Sequence, residues 1–208
     1  MKSKKRMDTR KLTVLGLLSA LIVVLQLIAN FVPTGPVSIT LALMPIIVGG
    51  ALYGVAAGGL LGFVFGMICL ILGLGGWDKG FILMLMSYAG EKTVLYVVLT
   101  VLLCVGKGVL AGLAGSAVYG FFKKKDALLA VVLAGIATPV ANTGTFALGI
   151  ITMFRKTLAN PKYSSAIAEL LLGWIGINFI VELATNLVLS AVVTRVVQIG
   201  SRMGVHRK

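Results

Sequence analysis

Charge is scarce in this chain. Only 12% of its 208 residues are Asp, Glu, Lys or Arg, and six are acidic, where soluble domains carry about 25% charged residues. With 59% hydrophobic residues and a mean hydropathy of +1.06, a water-soluble fold of this size has no way to hide its apolar surface, because much of any folded surface stays exposed. Histidine is nearly absent too. The one His, His206, lies in the basic tail, which excludes an HExxH metalloprotease site and leaves serine nucleophiles without a base. There is no GxSxG elbow and no GxxxxGK[ST] phosphate loop, so ATP is not hydrolysed here in that way. Cysteine is limited to Cys69 and Cys104, both inside apolar runs, where they read as small packing residues and not as a disulfide or metal site.

What remains is a series of long apolar runs. A helix needs about 20 mainly apolar residues to cross the hydrocarbon core, and the sequence predicts an all-α integral membrane protein: a single bundle of six transmembrane helices filling residues 1–208 as one membrane domain. The expected spans are 12–32, 38–53, 55–74, 94–122, 127–154 and 167–197, with 75–93 a partly inserted loop. Pro33-Thr34-Gly35-Pro36 is expected to stop the first helix, and Asp126 to cap the fifth. The span at 38–53 is the weakest, being short and interrupted by Pro45. The first run is too long for a signal-peptide core and is read as a retained helix. There is no internal repeat to suggest inverted-repeat transporter architecture.

The net charge of +13 is topological, not a nucleic-acid footprint. Basic residues gather at Lys2, Lys4, Lys5, Arg6, Arg10 and Lys11, at Lys123 to Lys125, and at Arg195, Arg202, Arg207 and Lys208. The expected spans place these thirteen on one side and five (Lys79, Lys92, Arg155, Lys156, Lys162) on the other, so the positive-inside rule predicts cytoplasmic N and C termini in a bacterial-type inner membrane.

Two ionisable groups fall at membrane depth, Lys107 and Glu182. Each costs about 2.5–3.5 kcal/mol on insertion scales, which marks it as a functional candidate. Either they pair and orient two helices, or they face a solvated cavity and hold a polar solute; the readings are compatible. Asn178 and Asn186 flank Glu182 at four-residue spacing, on one helical face. Asn142 sits in a polar patch with Thr138, Pro139, Thr143 and Thr145. These residues suggest a shared cavity toward the outer half, although asparagines also serve as interhelical glue. Gly16 and Ala20 form a small-xxx-small pattern that lets another helix dock, and Gly108, Gly112 and Ser116 make a similar ridge assigned to internal packing. A stand-alone secondary transporter or channel using Lys107 and Glu182, or a membrane assembly factor, would fit the same composition.

The order of features resembles the substrate-binding S component of energy-coupling factor (ECF) vitamin transporters. The shared elements are a basic start, small residues at Gly16 and Ala20, a Pro/Gly loop, the run Ile39-Thr40-Leu41-Ala42-Leu43-Met44-Pro45-Ile46-Ile47, and Gly49-Gly50-Ala51-Leu52-Tyr53-Gly54 leading into a glycine-rich helix. Lys107-Gly108-Val109-Leu110-Ala111-Gly112 with Asn142-Thr143 is most similar to the pantothenate-type branch. The resemblance implies a non-enzymatic, high-affinity vitamin-binding subunit with no cofactor. It also implies a pocket near the outer side of helices 4 to 6, here including Lys107, Asn142, Asn178 and Glu182. The implied partners are a transmembrane coupling subunit, docked on helix 1 through Gly16 and Ala20, and two ATPase subunits. Family members use alanine at both docking positions, so Gly16 is a conservative departure.

Overall fold

The computed structural model describes residues 9–31, 40–77, 93–153 and 175–202, with 155, 159, 165, 168, 169 and 173. Six long or buried helices organise them: α1 (Thr9–Phe31), α2 (Leu43–Tyr53), α3 (Val55–Leu74), α4 (Thr93–Phe122), α5 (Ala127–Met153) and α6 (Gly176–Gly200). No strand occurs among the described residues. Five of the six are long and apolar enough to cross a membrane. Large apolar side chains such as Leu17, Ile180 and Val188 point outward, as lipid requires and water would penalise. The chain is a multi-pass membrane protein. Most of the 75–93 loop lies outside the described residues.

The exception in length is α2. It has 11 residues, and every one from Leu43 to Leu52 is buried. It touches all five other helices, and a helix that is apolar on every face belongs at the centre of a bundle. The sequence suggested a start near residue 38, but Thr40 to Ala42 are not helical. Pro45 explains the difference. In a helix beginning at Leu43 it occupies the first turn, where its missing N–H has no intrahelical partner to lose; an earlier start would put it in the interior.

Gly54 alone separates α2 from α3, with φ of 88° and its N–H on the Gly50 carbonyl at 2.8 Å. A left-handed residue there reverses the chain without a loop, at little cost only for glycine. Edge-to-face packing of Phe31 on Trp77, centroids 5.4 Å apart, joins the ends of α1 and α3, while Lys11 lies 5.6 Å over the Tyr53 ring at the other end. These contacts make α1 and α3 parallel.

Between α3 and α4 the backbones interlock. A methyl group added to Gly62 would overlap the Gly108 carbonyl, and one on Gly58 would stand 2.6 Å from the Gly112 oxygen. Ser116, on the same ridge, donates to the Gly112 carbonyl at 2.6 Å. Close approach replaces the hydrophobic drive that lipid removes, and the α4 ridge expected from the sequence is indeed internal. Cys104, on the same helix, is buried against Leu70.

The Lys123–Lys125 turn leads into α5, whose first turn is capped by the Asp126 carboxylate accepting from the Leu129 N–H at 2.6 Å. Pro139 lies inside α5, so the Gly135 carbonyl one turn earlier loses its normal donor. An orphaned backbone group in hydrocarbon costs several kcal/mol, and α6 supplies the remedy: the Asn186 side-chain amide donates to Gly135 O at 3.0 Å.

Candidate functional site

Glu182 is the hub of a polar cluster. It stands in the second turn of α6 (Gly176–Gly200), with Ser165, Ala168 and Glu169 also helical ahead of it. Its side chain is 0% exposed. Asn178, one turn earlier, donates through Nδ2 to Oε1 at 2.7 Å. From α5, Asn142 Nδ2 straddles both carboxylate oxygens at 3.3 and 3.4 Å, and the Thr143 hydroxyl donates at 3.3 Å. The Thr40 side chain also bonds to it, and Lys107 attracts it electrostatically. All these partners present donors, which suits a group that only accepts when ionised. Burying a carboxylate in this way is tolerable because its lone pairs are filled and a cation is near.

The two asparagines differ in what they have left to offer. Asn178 is used at both ends: its Oδ1 accepts the Thr40 N–H at 3.1 Å while its Nδ2 serves Glu182. That fixes the lead-in to α2 against α6. Asn142 is only 2% exposed, yet its Oδ1 has no partner among the described residues. The carboxylate dictates which way this amide points, since Glu182 accepts and so must face the NH₂. Its bonds to Glu182 also lie beyond the usual 2.7–3.2 Å range. Asn142 is therefore the loosely held member, with an acceptor in reserve.

Lys107 completes the cluster from α4. Its ammonium lies 4.4 Å from the Phe146 ring centroid and 6.0 Å from that of Phe65. Ring faces attract a desolvated cation by about 2 kcal/mol. Phe146 follows Asn142 by four residues and shares its face of α5, so the cation and the unfilled acceptor border the same strip of helix.

Of the residues singled out from the sequence, Lys107, Asn142, Asn178 and Glu182 are brought together. Asn186 lies one turn further along α6 and bonds backbone instead. Gly16 and Ala20 are remote from the site, on an exposed face of α1 with none of the described residues within 4 Å of the Gly16 Cβ position. Thr40 and the two phenylalanines carried little warning: Thr40 precedes its helix and lacks periodic context, and phenylalanine in an apolar run ordinarily signals packing. Four-residue spacing from Asn142 was the one available pointer to Phe146.

The family model for the ECF transporter, substrate-specific component, matches residues 10–198. No curated protein matches the chain at a significant level. A cluster of buried polar groups inside a six-helix membrane bundle, together with a match over nearly its whole length, means that the chain belongs to the substrate-specific components of ECF transporters.

Proposed function

We propose that this substrate-specific component captures pantothenate, a small vitamin carboxylate, between α4, α5 and α6. Lys107 neutralises the carboxylate at a place where water is scarce and charge pairing is strong, and Phe146 holds the ammonium in position. Asn142 accepts from a hydroxyl or amide of the vitamin through Oδ1. Asn178 and Glu182 shape the site by fixing Asn142 and the start of α2. The observation that carries this reading is the unpartnered Asn142 Oδ1 on the same face as the Lys107–Phe146 contact.

The termini face the cytoplasm of a bacterial cell membrane on this reading, which the distribution of basic residues supports. The Gly16 and Ala20 face of α1 docks on the transmembrane coupling subunit, and two separate ATPase subunits supply energy. The exposed, unobstructed surface at Gly16 supports that assignment.

Equilibrium binding of labelled pantothenate to the purified chain in detergent tests the substrate. Saturable binding at micromolar ligand is expected, and none at that concentration retires pantothenate. A Lys107→Met protein is expected to bind roughly tenfold more weakly or worse, equivalent to about 1.4 kcal/mol; unchanged affinity removes the anion-pairing role while leaving the substrate intact.

A further inference from the structure

We propose that Asn186 acts as a surrogate backbone donor for α5, and that by doing so it positions Asn142 against Glu182. The starting point is the chemistry of Pro139, which has no N–H and so leaves the Gly135 carbonyl without its donor. In a membrane that carbonyl has no water to turn to. Asn186 is 3% exposed and its Nδ2 donates to Gly135 O at 3.0 Å. The preceding carbonyl is served as well, by the Thr138 hydroxyl at 2.7 Å, a form of bonding that itself bends helices. Two successive carbonyls at the proline break thus receive side-chain donors, one from α5 itself and one from α6.

The location of Gly135 matters. A methyl group there would stand 3.5 Å from the Asn186 Cβ and 3.7 Å from its carbonyl oxygen, so the two helices are in direct contact at this level. From that contact, Asn142 lies one turn past Pro139 along α5, and Glu182 lies one turn before Asn186 along α6. The Asn186–Gly135 and Asn142–Glu182 bonds are consecutive rungs between the same antiparallel helices. The first fixes how α5 emerges from its break, and the second forms where that direction brings it. Asn186 is a positioning residue, with no contact to solute required, and the inference does not depend on which solute is carried.

A thermal double-mutant cycle in detergent separates this role from ordinary packing. Asn186→Leu is expected to lower the unfolding midpoint by roughly 2–4 °C, while Pro139→Ala, which restores an N–H to α5, is expected to be neutral or stabilising. In the Pro139→Ala background Asn186→Leu should lose most of its effect. If Asn186→Leu yields no folded protein alone, recovery of monodisperse protein in the double variant supports the proposal equally. An equal penalty in both backgrounds, including failure to fold in both, overturns it. Positioning is read separately from the side-chain amide resonances of Asn142, identified by their loss in Asn142→Ala. They should shift in Asn186→Gln, which keeps an amide but misplaces it; resonances unmoved in that variant would reduce Asn186 to a local helix patch.

Discussion

Along the seam between α3 and α4, Gly58, Gly62, Gly108 and Gly112 bring backbone against backbone, whereas α5 and α6 are joined by Asn142, Thr143, Glu182 and Asn186. Both arrangements solve the same problem, that lipid offers helices no hydrophobic reason to associate. The first gains dispersion from close packing and tolerates nothing larger than hydrogen. The second gains directional bonds, whose donors and acceptors can be exchanged for a solute's. One half of the bundle is suited to holding shape and the other to recognition.

The steepest test of that contrast is Gly62→Leu. A side chain there meets the Gly108 carbonyl, and the expected loss is 4 kcal/mol or more, about the upper end for single substitutions, seen as loss of monodisperse protein on size-exclusion chromatography. Next comes Glu182→Leu, which strands the donors of Asn142, Asn178 and Thr143 in a dry site. About 3 kcal/mol of destabilisation is expected, measured as a fall in the thermal midpoint, with Glu182→Gln costing less because an amide oxygen still accepts. A Glu182→Leu protein as stable as the parent would show that the polar half is held by packing after all.

Lys107→Met should change stability by less than either, about 2 kcal/mol from the lost ring contacts, while the proposed pantothenate binding should weaken sharply. The smallest expected effect on stability belongs to Gly16→Leu, within about 0.5 kcal/mol because none of the described residues packs there. Co-purification of the coupling subunit from membranes should nevertheless fall sharply. A drop in stability with partner retention intact would place Gly16 in the fold and not at the docking surface.

Much of the layout was legible because the signals were local. Asp126 caps α5 as its type and place suggested, whereas the stop expected at Pro33-Thr34-Gly35-Pro36 lies outside the described residues. Lys107, Asn142 and Glu182 stood out since polar groups are rare in apolar runs. What the sequence concealed was long-range. Nothing near Leu43 announces that α2 is the axis of the bundle, and a short apolar helix reads the same at the centre as at the edge. The pairing of Gly135 with Asn186 spans two helices, so an asparagine noted only for sharing a face with Glu182 proved to serve a proline's neighbour. The differing duties of Asn142 and Asn178 depend on which ends of their amides are occupied, and residue type alone carries no trace of that.

Lys107 immediately precedes Gly108, one of the points where the α3 and α4 backbones meet. A side chain with four freely turning bonds is thus planted where two backbones interlock, and its wandering begins only beyond Cα. Phe146 beneath the ammonium narrows that wandering further. On the proposed reading, a carboxylate arriving there finds the charge already in its place, and little of the attraction is diverted into arranging the host.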